Sequence, residues 1–96
     1  MKYPKILRDF SFIFDKHTTF KDVEALIKNE ASNLLKSVSI FDLFESKEFG
    51  AEKKSMAFSL EYFDYGRTLT EEEVERDFQK LINAVTDKFN AQLRGN

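Results

Sequence analysis

Three side chains in this sequence could together hold a flat polar ring: the carboxylate of Asp42, the phenyl ring of Phe44 and the hydroxyl of Ser55. A carboxylate accepts hydrogen bonds through both oxygens. The N1–H and exocyclic amine of guanine offer two donors side by side to such a group, and an aromatic ring gives a base a surface to stack on. The arrangement works only if all three side chains share one solvent-facing surface. Otherwise Asp42 is a solvated acid and Phe44 covers a sheet edge.

Other chemistries find few materials here. His17 is the only His, and there is no Cys. This excludes a disulfide scaffold, thiolate zinc sites and a Cys nucleophile, and it fits a reducing compartment. His17 stands among polar residues and reads as a solvated loop residue, and no Ser–His–acid set can be assembled around it. No Gly-rich phosphate loop occurs. Glu71 to Asp77 holds five acids and one base, a net of −4 against −2 for the whole chain, so the remainder carries +2. The acids read as a helix start, where the helix dipole favours negative charge, rather than as a metal site.

Ninety-six residues suffice for one domain with one core, 1–96. Eleven Phe and an apolar fraction of 42% supply that core. No apolar run is long enough to span a membrane, and the N-terminus has no apolar signal core.

The elements that must position the three side chains follow from periodicity. Phe10, Phe12 and Phe14 alternate through residues 9–15, which predicts a strand with one aromatic face. Thr18 or Thr19 caps a helix over about 19–35, whose stripe is Phe20, Val23, Ile27, Ala31 and Leu34. Residues 38–45 read as a second strand with apolar groups on both parities, so its orientation stays open and a bulge is possible. Residues 46–53 form a polar hairpin connection. In the third strand Met56, Phe58, Leu60 and Tyr62 take one face, and Ser55, Ala57, Ser59 and Glu61 the other. The segment superficially resembles the aromatic strand of an RNA-recognition motif, but exposing Met56 and Phe58 would bury Glu61, which is costly.

Thr70-Glu71-Glu72-Glu73 is a capping box opening a helix over 71–89, striped by Val74, Phe78, Leu81, Ile82, Val85 and Phe89. Residues 91–94 make a short last strand with Leu93 inward. The order strand, helix, strand, strand, helix, strand predicts an α+β, ferredoxin-like βαββαβ fold: a four-stranded antiparallel sheet with both helices on one face. The other face is left open, lined by Ser11, Ile13, Ser55, Ala57 and Ser59. Small enzymes of this fold bind phosphate with a loop Arg, a part for which Arg8 or Arg67 is available, but the cradle is missing.

The chain resembles the C-terminal ferredoxin-fold anticodon-binding domain of the bacterial phenylalanyl-tRNA synthetase beta subunit. The resemblance runs from Lys2 to Gly95. It rests on Tyr3-Pro4 with Arg8-Asp9-Phe10-Ser11, on Phe41-Asp42-Leu43-Phe44, on Lys53-Lys54-Ser55-Met56-Ala57, on Arg67-Thr68-Leu69-Thr70 with Glu72-Glu73-Val74, and on Leu93-Arg94-Gly95. It implies a tRNA-binding module, one domain of a larger cytoplasmic subunit, whose open face reads the first anticodon base of phenylalanine tRNA, a guanine. It also implies that Asp42 and Phe44 face out, Phe41 and Leu43 in. Asp42 then reads the guanine, Phe44 stacks where a Tyr is usual, and Ser11 and Ser55 contact base or backbone. Where the family often has Gly, this chain has Glu52.

Arg8, Lys53, Lys54 and Arg94, with Lys2, Lys5 and Lys47, are candidates for phosphate contact. The resembled parent is a heterotetramer of alpha and beta subunits that joins phenylalanine to its tRNA with ATP and Mg2+. No catalytic site and no cofactor of its own are expected in this stretch. The alternative is a protein-interaction module docking on another subunit without reading a base.

Overall fold

Phe10, Phe12 and Phe14 place one face of the first strand in the core, and all three are buried. The computed structural model describes residues 3–45 and 50–95. Its elements are β1 (Ile6–Asp15), α1 (Phe20–Glu30), β2 (Leu35–Phe44), β3 (Lys53–Tyr62), α2 (Glu71–Phe89) and β4 (Gln92–Gly95). The strands form one sheet in the order β2-β3-β1-β4, with every pairing antiparallel. This is the ferredoxin-like arrangement read from the sequence.

Both helices lie on the phenylalanine face. Phe20 of α1 stacks on Phe58 with ring centres 5.7 Å apart. Phe78 of α2 stacks on Phe10 at 5.4 Å, and Phe89 meets Phe14 edge-on at 6.0 Å. Such aromatic pairs add about 0.5–1.5 kcal/mol each beyond the area they bury. Val23, Ile27, Met56, Leu60, Val74, Leu81 and Val85 complete the core.

α1 is shorter than its stripe predicts. Thr19 caps it as expected, its side chain accepting from the Asp22 N–H at 3.1 Å. At the other end the chain turns extended at Ala31. Two side chains capture the backbone there: Asp77 Oδ1 accepts from the Ser32 N–H at 3.0 Å, and Ser32 Oγ accepts from the Leu34 N–H at 3.2 Å. These bonds compete with the next helical turn. Leu34 then accepts from the Phe63 N–H at 2.9 Å, which brings the chain into the sheet three residues earlier than expected. Of the predicted hairpin connection, residues 46–49 lie outside the described residues. Gly50 takes φ 102°, a conformation that only glycine adopts without strain.

The capping box of α2 forms as read. The Thr70 side chain accepts from the Glu73 N–H at 3.2 Å, and Glu73 accepts from the Thr70 N–H at 2.7 Å. Arg67 adds a bidentate clamp on the same carboxylate at 2.6 and 2.7 Å, which commits it to the helix start rather than to a ligand. The Arg67 bonds and the Thr70 N–H bond hold the Glu73 carboxyl at about 2, well below the usual carboxylate range. A carboxyl depressed on folding stabilises above its unfolded pKa, and that contribution is lost as pH falls through the folded value. The thermal midpoint of the wild type therefore drops faster than that of Glu73→Gln between about pH 5 and about pH 2. Parallel melting curves across that range would refute this.

Candidate nucleic-acid interface

The open face is organised by a bulge towards the end of β2 and another in β4; β2 has a further register shift near its start, between Leu35 and Ser37. In β2, Ile40 pairs with Phe58 but Asp42 pairs with Ala57, so Phe41 is inserted between them. In β4, Leu93 pairs with Phe12 but Gly95 pairs with Ser11, so Arg94 is the inserted residue. A bulge sets two residues against one and resets the alternation beyond it. Val38 and Ile40 therefore face the helices, opposite Leu60 and Phe58, and so does Leu43, opposite Met56.

Beyond the β2 bulge, Asp42 and Phe44 emerge on the face away from the helices. Directly opposed residues in an antiparallel pair share a face. One row across the sheet thus reads Asp42, Ala57, Ser11, Gly95, and the next reads Phe44, Ser55, Ile13, Gln92. The carboxylate, ring and hydroxyl singled out in the sequence thus lie on one face of the sheet.

Asp42 and Ser55 line a shallow cleft of about 270 Å³, while Phe44 lies on the same face outside its lining. Ser55 and Ala57 form its floor and are buried despite lying on the face free of helices, Ser55 being only 3% exposed. Phe41 and Asp42 stand on one side, and Arg94 and Gly95 on the other. Arg94 Nη1 donates to Ser55 Oγ at 3.4 Å, reaching from β4 across β1 to β3. Asp9 adds a second carboxylate to the rim.

Three inward assignments need correction. Phe41 is 60% exposed and lines the cleft, because the bulge turns it out beside Asp42. Leu43 sits on the helix side yet is 59% exposed. α1 meets the sheet with Phe20 over Phe58, so the end of β2 runs past it. Leu93, expected inward, lies opposite Phe12 on the helix side but at the open edge of the sheet, and is 38% exposed. Phe41 was missed as a cleft residue, although apolar groups on both parities of the segment are the signal of a bulge.

The basic candidates divide. Arg94 is in the cleft. Lys53 shares the face of Ser55, two positions along β3, while Lys54 opposes Phe14 and takes the helix-side parity. Arg8 opposes Leu60, also on the helix side, where it ion-pairs with Glu71 and with Glu75 at 3.7 Å. This removes Arg8 from the face that carries Asp42, and sequence distance hid the pairing. Lys5 pairs with Glu61 at 3.2 Å. Lys2 and Lys47 lie outside the described residues. Among the described residues no group of acids and His is placed to hold a metal ion, and no helix is long and apolar enough to cross a membrane.

The family model described as the ferredoxin-fold anticodon binding domain matches residues 1–94. The phenylalanine–tRNA ligase beta subunit of Bacillus subtilis is 43% identical over 94 residues, 98% of this chain and 12% of that protein. The beta subunit of Bacillus licheniformis matches equally at 43%, and that of Listeria monocytogenes is 37% identical over 97% of this chain. The chain thus spans about 12% of the length of these relatives.

Proposed function

The chain belongs to the ferredoxin-fold anticodon-binding domain family, and from that premise we propose that the open face of its sheet binds the anticodon loop of phenylalanine tRNA and reads its first-base guanine. The observation that carries the reading is the placement of Asp42 and Phe44 on one face with Ser55 and Ser11. Asp42 accepts from the guanine N1–H and exocyclic amine. Adenine presents a lone pair at N1 and a bare C–H at C2, where guanine carries its amine, so the same carboxylate repels it. Phe44 stacks on a base, and Ser11 and Ser55 contact base or backbone. Lys53 meets phosphate from the same face.

The chain acts as a binding module. Its longer parent is, in this reading, the beta subunit of a cytoplasmic heterotetramer that joins phenylalanine to tRNA using ATP and Mg2+ at a site elsewhere.

Magnitudes decide how tightly the chain binds alone. One carboxylate–base pair contributes about 1–3 kcal/mol of discrimination and one stacked base about 1–3 kcal/mol. Loss of rigid-body freedom costs about 4–15 kcal/mol. The isolated chain therefore binds an anticodon stem-loop with a Kd on the order of millimolar to high micromolar. In the parent, other tRNA contacts raise the effective concentration.

NMR titration of the isotope-labelled chain with stem-loops carrying guanine or adenine at the first anticodon position tests the reading. Shifts concentrated at Ser11, Asp42, Phe44 and Ser55, weaker with adenine, are expected. If neither RNA moves those residues at millimolar concentration, the reading fails and docking on another subunit, through the exposed Phe41 and Leu43, becomes the better account.

A further inference from the structure

We propose that Arg94 is a second base reader, which donates to the O6 and N7 edge of the guanine that Asp42 holds by its opposite edge; this rests on the anticodon reading above. The β4 bulge is what aims it. As the inserted residue between Leu93 and Gly95, Arg94 turns back over the sheet instead of following the strand's alternation. Its guanidinium reaches Ser55 on β3, the strand next to Asp42, so the two charges flank a floor of Ser55, Ala57 and Ser11.

That order of charges matches one base. Guanine carries donors at N1 and the exocyclic amine on one edge and acceptors at O6 and N7 on the other. A carboxylate to one side and a guanidinium to the other satisfy both edges. Arginine pairing with O6 and N7 is also the commonest specific protein contact to guanine. Adenine reverses the pattern at both places, with an acceptor at N1 and an amine where guanine has O6.

The competing role for Arg94 is a phosphate contact. The rim argues against it, because Asp42 and Asp9 both line the cleft and their carboxylates disfavour a second anion there.

Base analogues separate the contacts. The chain and its Arg94→Ala and Arg94→Lys variants are titrated with stem-loops carrying guanine, 7-deazaguanine, inosine or adenine at the first position. 7-Deazaguanine lacks only the N7 acceptor, whereas inosine lacks only the exocyclic amine. The wild type is expected to bind 7-deazaguanine about three- to tenfold more weakly than guanine. Arg94→Ala should bind those two alike and still prefer both over inosine, because Asp42 is intact. Arg94→Lys should recover part of the 7-deaza discrimination. Unchanged shifts at Phe12 and Phe58 establish that the variants are folded.

Equal wild-type affinity for guanine and 7-deazaguanine, with adenine still rejected, overturns the role of Arg94 and leaves the anticodon reading standing. So does a uniform loss in Arg94→Ala across all four RNAs with a shallower salt dependence, the mark of a phosphate contact. Failure of the wild type to prefer guanine over adenine overturns both.

Discussion

Asp42→Asn is expected to lower the preference of the chain for a guanine over an adenine anticodon by about 1–3 kcal/mol, about 5- to 150-fold in the ratio of dissociation constants. The substitution keeps the shape of the side chain and changes one oxygen of an anionic acceptor pair into an amide donor. A donor facing the guanine N1–H or its amine is a mismatch, while the same donor suits the adenine N1 lone pair. Guanine binding therefore weakens and adenine binding strengthens, and the ratio moves more than either affinity. Stability should change little, because Asp42 is exposed at the edge of the sheet and such substitutions stay within about 0.5 kcal/mol. The paired titrations described above read the ratio directly. A variant that keeps the wild-type ratio would remove Asp42 from base recognition, whatever its effect on total affinity.

The site was legible in the sequence to the extent that its strands keep strict alternation. β1 and β3 do, so Ser11 and Ser55 could be assigned to the face opposite Phe10, Phe12 and Phe58 from parity alone. α2 announces both its ends, through Thr70 and the end of its apolar stripe at Phe89. β2 could not be oriented from its residues, because alternation on either side of a bulge gives contradictory answers. Only the resemblance to a known family chose Asp42 and Phe44, and even it left Phe41 on the wrong side. Arg94 was read as one more cation, since nothing local says that β4 also bulges. The features that stayed hidden depend on distant partners: Arg8 on Glu71 and the end of α1 on Asp77 are separated by 63 and 45 residues.

That last contact carries the largest expected effect on stability. Asp77 is 8% exposed, and its two oxygens accept from the Tyr62 hydroxyl and the Ser32 N–H, each at 3.0 Å. One carboxylate thus ties α2 to β3 and to the connection between α1 and β2. Burial and the Asp77 carboxylate push the Tyr62 hydroxyl above the ordinary tyrosine range, so it stays a donor at any pH at which the fold is used. Hydrogen bonds to a charged group contribute about 1.5–3 kcal/mol each. Asp77→Ala removes two and leaves both donors unsatisfied, so a loss of about 3–5 kcal/mol is expected, a large part of the roughly 5–15 kcal/mol that holds a domain of this kind together. Tyr62→Phe removes one donor and leaves the Ser32 bond, so it should cost about 1–2 kcal/mol. In the double variant the loss should fall short of the sum, because both changes break the same bond. Urea unfolding of the three variants measures this, and strict additivity would mean that Asp77 and Tyr62 stabilise the fold independently. The consequence reaches the cleft through register. Ser32 and Leu34 fix where the chain enters β2, and a one-residue slip there would send every side chain of the strand to the other face. The bulge that turns Asp42 outward is counted from that entry point, so a buried carboxylate on the helix side of the sheet helps to decide which face carries the residue proposed to read the base.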